Sequence, residues 1–487
     1  MIEHIFVHKG TYRDSAFLMR LAMEVRRLDG IEASEVLMGT PMNLSLLRSA
    51  FPKASVPDAS PMDLVVAIRA SSERALDEAM AEIQRAMAGG EAPSKGRRAF
   101  VPGGVAEAIA ALPEANVVSI AVPGPYAAFL AHRALDLGRH VFLFSDNVPL
   151  EDEVALKRRA RDARLLVMGP DCGTAIIAGV GLGFANRVPR GPVGVVGASG
   201  TGIQEVTSLL AQSGVGTSHA IGVGSRDLSR EVAGLMSLLA LELLAKDRET
   251  LAIVLVAKHP DREVAKRVHE VLRALGKPVT VRYLGEDGAG EVDGVFYART
   301  LDEAAARAAR AIGAEVPPPP AGDGGAVGGR LVGLFGGGSL AAEARCVLGR
   351  YGIQTQVPEV ALRPGAPVPE GNLIVDLGDD CYTVGRPHPM VDQTLRCEMI
   401  RAMGADPSVT VLLMDLVLGD GAHKDPAPEL LDALTGAHFK KVICSVTGTD
   451  KDPQDLRRQV SLLEAAGVVV RPSAALAASW IGERWQA

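Results

Sequence analysis

Aromatic side chains make up only 4% of the 487 residues, with two tryptophans among them. Glycine is plentiful at 53 residues. This balance is the usual one for α/β proteins with many tight strand–helix turns. Cysteine is scarce and unpaired in spacing: Cys172, Cys346, Cys381, Cys397 and Cys444 are odd in number and form no C-x-x-C. That excludes a zinc ribbon or disulfide framework and points to a reducing compartment. A basic surplus is also missing, since 51 Lys and Arg face 58 Asp and Glu for a net charge of −7. Nucleic-acid and membrane-surface binding therefore lack their electrostatic footprint. No apolar run reaches the roughly 18 residues of a membrane span. The start, Met1-Ile-Glu-His, has neither the basic flank nor the apolar stretch of a signal peptide. The expectation is a soluble, cytoplasmic protein with no nucleic-acid or membrane partner.

At about 100–200 residues per domain, the length implies two to four domains. Two seams stand out. Residues 89–96 read as a linker, and residues 316–329 join four prolines to a glycine-rich run with nothing to pack. Residues 1–95 alternate strands (His4–His8, Ser34–Gly39, Leu64–Arg69) with helices, as a small split-βαβ, ferredoxin-like α+β unit does. Residues 97–188, 190–315 and 330–487 each carry short continuous apolar runs between helical segments. Such runs suit parallel strands covered on both faces. The fold class expected is α/β, with three doubly wound parallel-sheet domains behind the small N-terminal one. The last two repeat one plan.

The clearest motif is a strand, a glycine-rich turn and a helix start, and it occurs twice. The first copy runs through Gly197-Ala198-Ser199-Gly200-Thr201-Gly202, the second through Gly336-Gly337-Gly338-Ser339. Glycine lets the backbone turn tightly and approach a ligand. First-turn amides lack an intrahelical partner and carry the positive end of the helix dipole, so an anion fits there. Neither turn is a Walker A loop or a strict G-x-G-x-x-G. The alternative is ordinary turns, with Ser199 and Ser339 as helix caps. Two equivalent turns in two similar domains favour a shared anion site at Ser199–Gly202 and Gly336–Ser339.

Other segments offer chemistry at strand ends. Asp171 and Cys172 lie in Gly169-Pro170-Asp171-Cys172, where a proline turn and a quiet structural thiol are the plainer reading. A charged loop runs from Asp376 through Asp380 and Arg386 to His388, which stands between two prolines. Its carboxylates can bind a cation or hold Arg386, and His388 can donate a proton or polarise a carbonyl, so both are candidate catalytic residues. Arg226 is a candidate clamp for an anionic substrate. Thr447 and Thr449 are candidate carboxylate or phosphate ligands, or else helix caps. No metal-ligand constellation is visible.

The run from Val117 to Leu284 resembles the α subunit of succinyl-CoA synthetase, through Met168-Gly169-Pro170-Asp171-Cys172, Ser199-Gly200-Thr201 and Ala220-Ile221-Gly222-Val223-Gly224. The run from Leu331 onward resembles the C-terminal domain of its β subunit. Almost the whole chain is similar to the FdrA family, through Val36-Leu37-Met38-Gly39-Thr40-Pro41, Phe144-Ser145-Asp146-Asn147-Val148, Gly197–Glu205, Gly385-Arg386-Pro387-His388-Pro389-Met390 and Val446-Thr447-Gly448-Thr449. The resemblance implies a Rossmann-like CoA-binding-type domain over 97–188 and two flavodoxin-like CoA-ligase-type domains over 190–315 and 330–487. It also implies candidate CoA-binding residues at Lys9, Gly10, Thr11, Asp171 and Cys172, and homo-oligomers or partner subunits.

In such ligases the two glycine turns jointly hold the phosphate of a phosphohistidine. Here the matching segment, Gly285-Glu286-Asp287-Gly288-Ala289-Gly290-Glu291, has no histidine. Where a supporting glutamate belongs, the chain reads Ala257-Lys258-His259-Pro260. No ATP-grasp domain is visible. The resemblance to FdrA proteins implies phosphate-dependent carbamoyl transfer in ureide breakdown, with inorganic phosphate or carbamoyl phosphate as substrate and no certain cofactor beyond CoA as a candidate. The alternatives are an acyl-CoA synthetase subunit that relies on a partner for ATP chemistry, and a non-catalytic regulatory scaffold.

Overall fold

A computed structural model describes residues 2–11, 13, 15–88, 102–288, 290–316, 325–366, 368–383 and 386–486. The linker read at 89–96 lies outside the described residues. The chain divides into two units, residues 1–101 with 384–387, and residues 102–383 with 388–487.

In the first unit three antiparallel strands run in the order Ile2–His8, Leu64–Ala70, Ile31–Met38. The central strand is apolar on both faces because both are covered. Val66 and Ile68 meet Leu18, Leu21, Val25, Ala79 and Ile83 of the helices Ser15–Arg26 and Glu73–Ala88. Val65 and Ala67 meet Leu44 and Leu47 of the helix Pro41–Ala50 on the other side. Thr40 starts that helix by accepting from the Asn43 amide, and Pro41 costs nothing there because its missing N–H would be an orphan.

Among the described residues the second unit holds three larger sheets, mostly parallel, and one two-stranded parallel pair. Val117–Ile120, His140–Leu143 and Val167–Met168 pair in chain order, so this first sheet does not reverse its winding. The second sheet has eight strands. Its parallel centre places Val193–Gly197 between Thr217–Gly222 and Ala252–Lys258, followed outward by Val279–Leu284 and Val295–Tyr297. An antiparallel hairpin, Thr174–Ile177 with Val180–Gly183, extends it beyond Thr217–Gly222. Ala178 and Gly179 both take positive φ (50° and 85°), as a tight two-residue hairpin turn requires. Residues 174–183, read from sequence as part of 97–188, thus belong to the second sheet.

The third sheet has six strands with Arg330–Phe335 between Asn372–Asp376 and Val409–Val417. In both large sheets the chain order reverses beside the strand that precedes a glycine turn. The carboxyl end of that strand is where open α/β sheets bind ligands. Val327–Gly328 pairs with Trp485–Gln486 and Val327 is buried, so the end of the segment read as a linker packs against the third lobe.

One hydrophobic core spans the second and third lobes. Val193, Val195, Ile203 and Leu210 share it with Leu331, Phe335, Leu340, Ala344 and Trp480. The helix Leu301–Ala311 presents Leu301, Ala304, Ala305, Ala308 and Ala309 to this core, and such small side chains let helices approach closely. Polar ties add direction: Asn186 donates to Leu418 O at 2.9 Å and Asp452 Oδ2 at 2.7 Å. The two glycine turns are therefore fixed relative to each other by a common core.

Candidate functional site

Ser199 and Ser339 meet: their hydroxyl oxygens are 2.6 Å apart. Each stands at the start of a 13-residue helix, Gly200–Gln212 and Gly338–Arg350. Ser199 is the cap of the first, accepting from the Gly202 amide at 3.0 Å. In the second helix the cap is Gly337, with no side-chain bond, and Ser339 is already inside the first turn. Thr201 closes the gap between the turns, since a Cβ on Gly337 would come within 3.0 Å of its Oγ1. A side chain at 337 would press on Thr201 and Asp415 at 3.0–3.1 Å, so glycine keeps this approach unstrained.

The second turn carries an internal anion. The amides of Gly336 and Gly337 each donate at 2.7 Å to the Asp415 carboxylate, on the neighbouring strand Val409–Val417. Buried Arg396 neutralises it, donating to Asp415 Oδ1 at 3.0 Å and to its carbonyl at 2.6 Å. The first-turn amides of Gly200, Thr201, Gly338 and Ser339 have no protein acceptor among the described residues. They are what remains for an external oxyanion.

Two further charged groups end strands of the large sheets; the sequence marks Asp376 only as the start of a charged loop and Lys258 only as part of Ala257-Lys258-His259-Pro260. Lys258 ends the strand Ala252–Lys258, whose Val256 carbonyl accepts from the Ala198 amide of the first turn at 2.9 Å. Asp376 ends Asn372–Asp376, accepts from the Gly378 amide at 2.9 Å, and lies against Gly338. Burial pushes the Asp376 carboxyl up to about 6. The Gly378 amide and Lys258 pull the other way, while Asp415 and Asp379 add to the rise. Their positions at the carboxyl ends of parallel strands were the signal that could have found them.

His388 belongs here. A Cβ on Gly378 would lie 2.7 Å from His388 Nε2 and 2.7 Å from the Gly336 carbonyl. Its ring lies tilted beside Phe184 with centroids 6.3 Å apart, and burial, with the Arg396 charge, lowers its pKa to about 4. The imidazole is thus neutral at pH 7. Its Nδ1 accepts from the Met390 amide at 3.2 Å, so the proton sits on Nε2. Of the two roles read from sequence, this tautomer suits polarising a carbonyl rather than donating a full proton.

The remaining candidates stand elsewhere. Arg226 is held by Glu153 at 2.8 Å and by the Val148 carbonyl at 2.7 Å, beside the buried group Lys157, Glu153 and Asp227. It ties the first lobe to the second and is not a free clamp. Thr447 is buried against Glu205, and Thr449 donates to the Arg187 carbonyl at 2.9 Å, so both join the lobes rather than face a ligand. The helix after Thr449 is capped by Asp455. Asp380 is exposed in the short helix Asp380–Thr383, near enough to raise the Asp171 pKa. Asp171 accepts from Ser225 Oγ at 2.7 Å. The Cys172 thiol is buried and pushed up to about 12, as a structural thiol is. Lys9, Gly10 and Thr11 lie in the first unit, where the Gly10 amide donates to Asp63 at 2.8 Å. Arg386 divides with that unit as well.

Asp376 and His388 make opposite contributions to stability. The proton on Asp376 stabilises the fold fully below about pH 4, and this is lost as pH rises through about 6. The neutral His388 ring stabilises fully above about pH 6.5, and this is lost as pH falls through about 4. Urea unfolding of Asp376→Asn between pH 4 and 7 should therefore show stability rising with pH more steeply than in the parent. His388→Gln should show the reverse, and parallel profiles for all three proteins would contradict both assignments.

The protein YahF of Escherichia coli strain K12 is 37% identical, over 97% of this chain and 96% of its own length. This chain belongs to the FdrA family. Three family descriptions match along it: "AllF, heavy metal-associated domain" over residues 1–100, "CoA binding domain" over 190–282 and "CoA-ligase" over 334–483. Succinate–CoA ligase [ADP-forming] subunit alpha 1 of Archaeoglobus fulgidus is 30% identical, over 40% of this chain and 68% of its own length. The architecture is that of succinyl-CoA synthetase-like proteins, with a small N-terminal domain ahead of CoA-binding and CoA-ligase domains. Among solved structures, the dinucleotide-forming acetyl-coenzyme A synthetase 1 of Ca. Korarchaeum cryptofilum, in complex with phosphate and ADP, is 18% identical with a TM-score of 0.33, covering 75% of this chain and 81% of its own.

The FdrA chain does not offer the donors that a heavy-metal domain implies. Residues 1–100 contain no cysteine, and His4 and His8 are their only histidines. Among the described residues no group of three or more His, Cys, Asp or Glu can hold a metal ion, and the buried His8 Nε2 stands alone. Nor is any helix among them long and apolar enough to cross a membrane.

Proposed function

We propose that this FdrA chain is the oxyanion-binding component of a phosphate-dependent carbamoyltransferase, which converts oxalurate and phosphate to oxamate and carbamoyl phosphate. The observation that carries the reading is the convergence of two helix starts at Ser199 and Ser339, and no carboxylate stands in Ala257-Lys258-His259-Pro260, where the resemblance places a ligase's supporting glutamate. A histidine to be phosphorylated is missing from residues 285–291. The groups that remain suit direct transfer: they hold a phosphate and do not carry it covalently.

In the proposed step, the free first-turn amides and Lys258 hold phosphate while His388 Nε2–H polarises the carbamoyl carbonyl. A phosphate oxygen forms a bond to the carbamoyl carbon. The carbon–nitrogen bond to the oxamate half breaks, and the phosphate proton ends on the departing amide nitrogen. No covalent protein intermediate forms and no oxidant is needed. The chain would act with partner subunits, as the "subunit alpha" names of its ligase relatives suggest for those proteins.

A second reading, an acyl-CoA synthetase subunit, is favoured by the CoA-binding and CoA-ligase descriptions. The two separate in one experiment. The full chain, with any subunits that co-purify from its host, is incubated with oxalurate and phosphate and assayed for carbamoyl phosphate. A parallel sample receives labelled ATP and CoA. Phosphate-dependent carbamoyl phosphate without protein label is expected. Label on histidine with acyl-CoA formation would replace the reading by the ligase, and the absence of any phosphate-dependent turnover would leave a scaffold.

A further inference from the structure

We propose that Asp376 makes the paired turns selective: its carboxylate accepts the O–H of a protonated tetrahedral oxyanion, such as inorganic phosphate, and repels one without a proton, such as sulfate. The inference rests on the oxyanion-binding reading above and adds which anions the turns admit and which they refuse.

The paired turns leave donors unused. Ser199 and Ser339 are only 7% and 4% exposed. Their two hydroxyls carry two protons but share a single hydrogen bond of 2.6 Å, and Ser199 Oγ also accepts from the Gly202 amide at 3.0 Å. Whichever serine donates, the other keeps a buried O–H with no protein acceptor among the described residues. That proton and the open amides of Gly200, Thr201, Gly338 and Ser339 call for an external negative oxygen.

One acceptor stands beside these donors. Asp376 closes the strand Asn372–Asp376, and its carboxylate faces the second turn: a Cβ on Gly338 would come 3.1 Å from Asp376 Cγ and nearer still to Oδ2. Oδ1 accepts from the Gly378 amide at 2.9 Å, whereas Oδ2 has no donor among the described residues. An anion on the Gly338 and Ser339 amides therefore lies next to an unused carboxylate oxygen. Asp415 adds negative charge from the same side, since a Cβ on Gly337 would lie 3.1 Å from its Oδ2, and Arg396 offsets it at 3.0 Å.

An anion beside a carboxylate is unfavourable unless a proton stands between them. Phosphate keeps at least one O–H near pH 7, and donating it to Asp376 Oδ2 makes a charge-assisted bond, which is the stronger kind. Sulfate has the same shape but no proton at that pH, so two negative oxygens meet. A site built to accept a ligand's hydroxyl rejects the analogue that lacks it, because its own acceptor is left unpaired. Like charge adds to that rejection.

Calorimetry on the full chain near pH 7 tests this with phosphate, arsenate and sulfate. Phosphate and arsenate, which both keep a proton, should bind at least about 100-fold more tightly than sulfate. Asp376→Asn, whose amide can donate as well as accept, should bring sulfate to within about tenfold of phosphate. The parent alone gives a second check. As pH falls through about 6, Asp376 takes up its own proton and becomes a donor, so sulfate should gain on phosphate. Lys258, Asp379 and Asp415 are the charges that act on it, and His388, beside Gly378, stays neutral until about pH 4. Sulfate bound as tightly as phosphate in the parent would overturn the inference while leaving the turns an oxyanion site. So would a preference unchanged by Asp376→Asn or, if that variant does not fold, by pH. Failure of all three anions to bind the parent would remove the oxyanion site itself, and this inference with it.

Discussion

Ser199→Asp is expected to lower the affinity for inorganic phosphate by at least about 100-fold while leaving the fold intact. Aspartate is as good a helix cap as serine, so the Gly202 amide keeps an acceptor and the helix Gly200–Gln212 keeps its start. The new carboxylate also lies within reach of the Ser339 hydroxyl, which now bonds Ser199 at 2.6 Å. In effect the variant fills the pocket with its own anion, as Asp415 already does for Gly336 and Gly337. Two unit charges about 4 Å apart repel by about 4 kcal/mol at an effective dielectric constant of 20, which is on the order of a thousandfold in binding. Solvent and salt screening reduce this, hence the smaller figure above. Ser199→Ala removes one hydroxyl without adding charge and should weaken phosphate only about tenfold. Calorimetry with phosphate, paired with thermal melts, checks both. A Ser199→Asp protein that melts normally and binds phosphate as tightly as the parent would show that the oxyanion sits elsewhere.

Glu343→Ala is expected to be the most destabilising single change at the boundary between the second and third lobes. Arg282 and Glu343 are both fully buried, and the guanidinium donates to Glu343 Oε2 through Nε at 2.9 Å and Nη2 at 2.6 Å. Burial raises the Glu343 pKa, and Arg282 and the Leu301 amide oppose that rise. Deleting the carboxylate strands a cation in the interior, which costs about 3–5 kcal/mol. Arg282 also donates to the carbonyls of Tyr283 and Glu286, so the turn after the strand Val279–Leu284 should loosen as well. Replacing both partners, as Arg282→Met with Glu343→Leu, should recover most of the loss, because apolar packing removes the uncompensated charge. Urea denaturation of the single and double variants measures the difference. A Glu343→Ala midpoint equal to that of the parent would mean the pair is not what joins the lobes.

The strands of the large sheets were legible because burial on both faces forces continuous apolar runs. Val193-Gly194-Val195-Val196-Gly197 and Leu331–Phe335 could hardly be anything else in a chain of this composition. The hairpin at 174–183 was missed, since strands of four residues with a glycine-rich turn leave almost no periodic signal. The same limit applied to the candidate ligands. Arg226, Thr447 and Thr449 carry the right chemistry at strand ends, yet each is spent on a neighbouring lobe. Asp415 sits inside a nine-residue buried strand, where nothing in its flanks announces that it caps a turn 78 residues away.

Two properties were therefore local and readable in advance. One is the glycine turn, because small residues between a buried strand and a helix leave unpaired amides wherever they occur. The other is the absence of histidine from residues 285–291, because a missing imidazole is a matter of composition. Which amides stay open, which are closed by Asp415, and which charges gather around them depended on lobes far apart in the chain sharing one core. Side-chain partners are set by distance in space, and no spacing in the sequence encodes that distance.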